Sequence, residues 1–255
     1  MAGQFDLDGD IALVTGASGG LGTRFAKTLA LNGARVVLAA RRMDALEALG
    51  EEIGALGGQA FSVSMDVTDE DSVKQGFSRV EEHWGTVQIL VNNSGIAVSQ
   101  KLNEQRSEQW QQVMDTNLHG AYFVAQEAAR RMCSAGVSGS IINIASILAF
   151  RVGMGLSAYA VSKAALQQLT RAMALEYARD QIRVNAIAPG YIETDINRDY
   201  FATEAGRKML KRIPQRRLGL PEDLDGPLLL LASDASAYMT GSTLVIDGGH
   251  LLASL

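Results

Sequence analysis

The stretch Ile11-Ala12-Leu13-Val14-Thr15-Gly16-Ala17-Ser18-Gly19-Gly20-Leu21-Gly22 runs an apolar strand into a turn with glycines spaced Gly-x3-Gly-x-Gly, then into a helical pattern. A short strand with no polar alternation is buried on both faces, the habit of parallel sheets. The turn behind it is where such a sheet holds an anion. Gly16 permits the tight bend, Gly20 lets the backbone approach a pyrophosphate, and Gly22 lets helix and strand pack closely. Ser18, Gly19 and Leu21 complete the cradle, and the helix start offers free N–H groups. Three isolated glycines can equally be an ordinary strand-to-helix turn. Their place directly after the first strand points to a dinucleotide.

The same rhythm continues along the chain. Strands are expected at Arg35 to Leu38, Phe61 to Val63, Gln88 to Val91, Ser140 to Ile144, Arg183 to Ile187 and Thr243 to Ile246. Helical patterns fall between them, over about 23–32, 43–56, 70–84, 106–133, 158–179 and 222–232. Seven strands alternating with helices imply an α/β, single-domain Rossmann fold over residues 1–255, with a parallel, doubly wound sheet flanked by helices. Residues 1–145 form the dinucleotide-binding half and 146–255 the catalytic and substrate-binding half. The irregular segment of about 190–220 reads as a substrate lid, or else as a flexible insertion.

Composition narrows the class. The 255 residues carry a net charge of −5, 47% hydrophobic residues and four prolines, which fits a packed globule rather than a disordered or nucleic-acid-binding chain. Met1 to Asp6 lacks the basic and apolar blocks of a signal peptide, and no apolar run reaches membrane-spanning length, so a cytoplasmic setting and no membrane partner are expected. Cys133 is the single cysteine, and His83, His119 and His250 are scattered, so no metal is expected.

At the end of the second strand, Arg41 and Arg42 stand where an NAD-preferring site would carry an acid. Their guanidinium forks match a 2′-phosphate and can stack on adenine, which favours NADP(H) over NAD(H). Asp44 nearby could cap the following helix or neutralise one of the pair.

Further on, Tyr159 and Lys163 stand four apart in Tyr159-Ala160-Val161-Ser162-Lys163, and Ser146 follows an apolar strand. Such pairs and such serines are commonplace singly. Together, downstream of a dinucleotide turn, they meet the needs of carbonyl reduction: a proton for the developing alkoxide and a donor that polarises the carbonyl. Tyr159 is the expected proton donor, with Lys163 one helical turn away to lower its pKa by about two units. Ser146 is the expected hydrogen-bond donor to the substrate oxygen.

Thr15-Gly16-Ala17-Ser18-Gly19-Gly20-Leu21-Gly22, Asp66-Val67, Asn92-Asn93-Ser94-Gly95, Asn117, Ser146, Tyr159-x3-Lys163, Pro189-Gly190 and Asp247-Gly248-Gly249 occur in one order. In this the chain resembles the short-chain dehydrogenase/reductase family over almost its whole length, and among its members the 3-oxoacyl-[acyl-carrier-protein] reductases and carbonyl reductases. The departure is Ser94, where alanine is usual. The resemblance implies that Asp66 and Val67 contact adenine, that Asn92, Asn93 and Gly95 line the cofactor, and that Ile192 and Thr194, after Pro189 and Gly190, hold the carboxamide. It also implies that Asn117 anchors a water serving Lys163, and that the protein is a homotetramer.

The substrate reading is an apolar, medium-sized ketone or a 3-oxoacyl compound, with Leu148, Phe150, Val152, Met154, Leu156, Tyr191, Ile196, Tyr200 and Phe201 as candidate pocket walls. The basic residues Arg207, Lys208, Lys211, Arg212, Arg216 and Arg217 could receive a phosphate-bearing tail, or form a solvated face. Two alternatives stay open: an NAD-linked secondary alcohol dehydrogenase working in the oxidative direction, and a nucleotide-binding regulator without activity.

Overall fold

The computed structural model describes residues 5–194, 201 and 203–253. Seven strands carry it: β1 Ile11–Thr15, β2 Arg35–Ala40, β3 Gln59–Ser64, β4 Ile89–Asn92, β5 Gly139–Ile144, β6 Ile182–Pro189 and β7 Thr243–Ile246. All pairings are parallel and the order is β3-β2-β1-β4-β5-β6-β7. Winding therefore reverses between β1 and β4. A crevice opens at the carboxyl ends of strands at such a point.

Eight α-helices cover the sheet among the described residues: α1 Gly20–Leu31, α2 Met43–Ala55, α3 Glu70–His83, α4 Ser107–Met114, α5 Gly120–Ala135, α6 Ser157–Glu176, α7 Glu204–Leu210 and α8 Asp225–Ala232. Strand alternation persists inside the unbroken apolar runs. Ala12 and Val14 pack with Phe25 and Leu29 of α1, Leu46 of α2 and Leu228 of α8. Ile11 and Leu13 pack on the other face with Phe77 of α3, Val124 and Met132 of α5 and Met173 of α6. Because β1, β2, β4, β5 and β6 are buried on both sides, only their carboxyl ends are left to work.

Local chemistry sets the helix limits. The Asp69 carboxylate accepts from the Asp71 and Ser72 amides and starts α3. Gly136, at φ 66°, closes α5 in the left-handed conformation.

Four element limits differ from the sequence reading. The helix expected over 106–133 is broken by a π turn, Asp115–His119, between α4 and α5. The cause is Asn117, whose Oδ1 accepts from Ile96 N at 2.8 Å while Nδ2 donates to Ile96 O at 2.9 Å and Ser162 Oγ at 3.0 Å. Apolar periodicity cannot register a polar side chain drawn inward. The helix expected over 158–179 ends at Glu176 and is followed by a 3₁₀ turn, Ala178–Asp180. The segment over 222–232 starts as a 3₁₀ turn, Pro221–Leu224, before α8. The 190–220 segment is not wholly irregular. It contains α7, and its base is pinned where Glu193 N donates to Gly219 O at 2.8 Å and Gly219 N to Tyr191 O at 2.9 Å. Ile196 and Tyr200 lie outside the described residues.

Candidate active site

Gly16 and Gly20 take φ of 65° and 56°, so both turn positions demand the left-handed backbone that glycine alone adopts freely. At Gly22 the constraint is space. A Cβ there would run into the Gly16 carbonyl oxygen and stand 2.7 Å from Asn93 Nδ2. Nothing within 4 Å faces a Cβ placed on Gly20, and no side chain caps the start of α1. The turn therefore presents open space backed by uncapped helix N–H groups, which suits a phosphate.

Thr15 ties this turn to the β4 loop. Its hydroxyl accepts from Asn93 N at 3.0 Å and Ser94 N at 3.1 Å, and Asn93 Nδ2 donates back to Thr15 O at 3.0 Å. Thr15 is a functional residue that sequence reasoning missed. A polar residue ending an otherwise apolar strand was the available signal.

At the β2 end, the Arg42 Nη2 group donates to Ser18 O at 2.8 Å, laying its guanidinium over the glycine turn. Arg41 reaches outward with its side chain 77% exposed, Nη1 lying 3.7 Å from Asp66 Oδ2. Burial pushes the Asp66 carboxyl up, but hydrogen bonds from Thr68 N and Oγ1, with Arg41 beside it, hold it below the usual carboxylate range. An exposed guanidinium with one long ion pair keeps its donors available. The donor set fits a dinucleotide carrying a 2′-phosphate.

Ser146 sits at the carboxyl end of β5, buried, and its Oγ accepts from Leu148 N at 3.1 Å. From α6, Lys163 is 4% exposed and its Nζ donates to Ile144 O at 2.7 Å. The ammonium lies 5.7 Å from the centroid of the Tyr159 ring. Burial lowers the Lys163 pKa to about 8. Tyr159 moves the other way: burial raises the phenol's pKa, the Ser146 hydroxyl beside it pulls it down, and Tyr191 pushes it up again.

The expected lowering of Tyr159 by Lys163 is thus corrected. The two groups share one desolvated pocket, and burial disfavours the charged form of each. The ammonium's hydrogen-bond partner is the Ile144 carbonyl.

One cleft of about 1340 Å³ gathers Gly16, Ser18, Gly19, Gly20, Leu21, Arg41, Arg42, Asp66, Val67, Asn93, Gly95, Ser146, Tyr159, Lys163, Pro189, Gly190, Tyr191, Ile192 and Thr194. Gly22 and Asn117 stand behind its wall. Both Asn117 amide hydrogens and one carbonyl lone pair are engaged by Ile96 and Ser162, so this side chain holds the β4 loop against the π turn. Asn92 is a correction. It is buried within the fold, donating to Ala121 O and Asn143 Oδ1, both at 3.0 Å.

Leu148, Phe150 and Met154 are corrections as well, since none lines the cleft. The 3₁₀ turn Ile147–Ala149 carries the chain outward, leaving Val152 90% and Met154 97% exposed. Polar residues of α4 that sequence reasoning missed, among them Ser107, Gln111 and Thr116, form part of the wall. Among the described residues, no three His, Cys, Asp or Glu side chains group together for a metal.

A doubly wound parallel sheet with a glycine phosphate turn, and Ser, Tyr and Lys gathered at its carboxyl ends, defines an oxidoreductase acting on CH–OH or C=O groups. The chain belongs to the short-chain dehydrogenase/reductase family. Residues 16–250 match the family described as enoyl-(acyl carrier protein) reductase. It is 42% identical to an L-rhamnose 1-dehydrogenase (NAD(P)(+)) of Azotobacter vinelandii, over 93% of this chain and 94% of that one. It is 39% identical to a 2-dehydro-3-deoxy-D-gluconate 5-dehydrogenase of Escherichia coli, over 97% of each. The solved structure of a gluconate 5-dehydrogenase from Burkholderia cenocepacia, in complex with NADP and tartrate, superposes with a TM-score of 0.94 at 36% identity, covering 98% of both chains.

Proposed function

We propose that this protein transfers a hydride between NADP(H) and a carbonyl or secondary alcohol on a small hydroxylated carbon chain of the sugar or sugar-acid type. The observation that carries the reading is the meeting of Ser146, Tyr159 and Lys163 with the glycine turn in one cleft. The hydroxylated class is supported by the polar residues Ser107, Gln111 and Thr116 in the wall of that cleft, and by the sugar and sugar-acid dehydrogenases among the relatives. When bound, the cofactor supplies or accepts the hydride. Ser146 holds the substrate oxygen, Tyr159 gives that oxygen its proton during reduction, and Lys163 faces the cofactor ribose. Asn117 positions the loop that carries Gly95. Asp66 and Val67 flank the adenine, and Asn93, Pro189, Gly190, Ile192 and Thr194 line the path to the nicotinamide. The segment over 190–220 acts as the lid.

The test is NADPH oxidation and NADP⁺ reduction followed at 340 nm against aldonic acids, keto-sugar acids, simple ketones and 3-oxoacyl thioesters. Hydroxylated acids are expected to win. A preference for 3-oxoacyl thioesters would return the substrate to the acyl class, the one that the resemblance to 3-oxoacyl-[acyl-carrier-protein] reductases implies and that the basic residues over 207–217 could serve. Two of these, Lys208 and Arg217, are paired with Glu204 and Asp223. Tight NADPH binding without turnover of any of these compounds would favour the regulator.

Cofactor choice has its own test. Arg41→Ala is expected to raise the KM for NADPH about 10- to 100-fold, as for a lost charge-assisted hydrogen bond, with the KM for NADH little changed. Equal weakening of both would place the 2′-phosphate elsewhere.

The same reading includes a homotetramer in the cytoplasm. Tyr122 of α5, Val161 and Leu175 of α6 and Val245 of the edge strand β7 are exposed apolar side chains on the faces such an assembly would cover. Light scattering is expected to give four chain masses. A monomer in solution would remove that part. No helix among the described residues is long and apolar enough to cross a membrane.

A further inference from the structure

Tyr191 lines the cleft and stands close enough to Tyr159 to affect its titration. Its ring is braced from two sides, by Phe201 at 5.7 Å in an edge-on contact and by His250 at 5.6 Å with the planes tilted by 39°. His250 begins a 3₁₀ turn, His250–Leu252, and that turn is firmly tied. Asp247 accepts from Gly249 N at 2.8 Å and Leu251 N at 2.7 Å. Arg151 donates to His250 O and Ala253 O, each at 2.9 Å. Gln215 N, on the returning limb of the lid segment, donates to Gly248 O at 3.2 Å. The turn thus links the Ser146 loop through Arg151, the β6 loop through Tyr191, and the lid base through Gln215.

Among the described residues no hydrogen bond engages the His250 ring. Its Nδ1 is buried without a hydrogen-bond partner. Burial, Arg151 and Arg212 lower its pKa against the opposing pull of Asp247, so the ring is neutral at neutral pH. Such a ring acts by shape.

We propose that His250 is a positioning residue for substrate: clamped by Arg151 and Asp247, its ring buttresses Tyr191 and so sets the width of the substrate end of the cleft. This rests on the reading that substrate lies between Ser146, Tyr159 and Tyr191. The role is one of specificity, since His250 does not line the cleft.

Steady-state kinetics on the full chain, varying substrate and NADPH separately, test it. His250→Ala is expected to raise the substrate KM about 3- to 10-fold, the range of a lost aromatic contact, with kcat and the NADPH KM close to wild type. His250→Phe, which keeps a ring, is expected to restore the substrate KM. Arg151→Met, which removes both of the arginine's hydrogen bonds to the turn, is expected to reproduce the His250→Ala pattern and stands in for it should that variant fail to fold. Unchanged substrate KM in His250→Ala, a parallel rise in the NADPH KM, or a His250→Phe variant as impaired as His250→Ala would each overturn the buttress. A wild type that turns over no carbonyl or alcohol would instead sink the functional reading beneath it.

Discussion

Replacing Tyr159 with phenylalanine is expected to lower turnover about 10²- to 10⁴-fold, the range for a lost general acid, while NADPH affinity stays near wild type. The ring remains to pack in the cleft, so only the hydroxyl is lost. That hydroxyl is buried beside Ser146, in surroundings that raise its pKa, so it is protonated throughout the neutral range. A protonated phenol is what reduction requires, because the developing alkoxide is far more basic than a phenolate and takes the proton downhill. The raised pKa therefore still leaves Tyr159 able to give its proton to the alkoxide, though it makes the reverse reaction, which needs phenolate, demand alkaline solution. Oxidation of an alcohol should accordingly speed up with pH over a range where reduction is flat or falling. NADPH titration by fluorescence together with single-turnover rates measures both halves. Wild-type rates in Tyr159→Phe would remove the residue from the chemistry.

What the sequence displayed well were features with a fixed geometric period or a fixed covalent spacing. Unbroken apolar strands such as Ile11 to Val14 gave the parallel sheet, and the four-residue step from Tyr159 to Lys163 put both on one face of α6. The glycine turn was legible because Gly16 and Gly22 are required locally, by φ and by close approach. What failed to show were side chains whose direction is decided by partners distant in the chain. Asn92 and Asn93 are adjacent, yet Asn92 turns into the fold toward Asn143 while Asn93 faces Thr15 and the cleft. Their order in the sequence says nothing of this. The π turn around Asn117 depends on Ile96 and Ser162, and the outward loop of Val152 and Met154 on the 3₁₀ turn before it. An apolar residue near a catalytic serine therefore reads as a pocket wall from sequence whether or not the backbone turns it inward. Balance between burial and charge is equally hidden: proximity of Lys163 suggested a lowered phenol, and only the depth of the pocket reverses the sign.

That depth also sets the second large effect, in Lys163→Met. Activity is expected to fall at least as far as in Tyr159→Phe, about 10²-fold or more, because the buried cation 5.7 Å from the Tyr159 ring and the donor proposed to face the ribose disappear together. NADPH binding should weaken as well, which separates this variant from Tyr159→Phe. Stability should behave differently. Burial brings the Lys163 pKa from 10.5 to about 8, so the unfolded chain binds its proton more tightly than the folded one. The resulting cost is complete below pH 8, shrinks as pH rises, and is gone above 10.5. Wild type should therefore gain about 2 kcal/mol relative to Lys163→Met between pH 7 and 9.5, other groups being common to both. The lost hydrogen bond to Ile144 O works in the opposite direction at neutral pH, offsetting some of the relief that methionine brings. Paired denaturant unfolding at the two pH values isolates the titrating part. A stability difference between the two proteins that does not change with pH would mean that the ammonium is solvated in the folded state, and the buried cation on which the site's electrostatics rest would have to be given up.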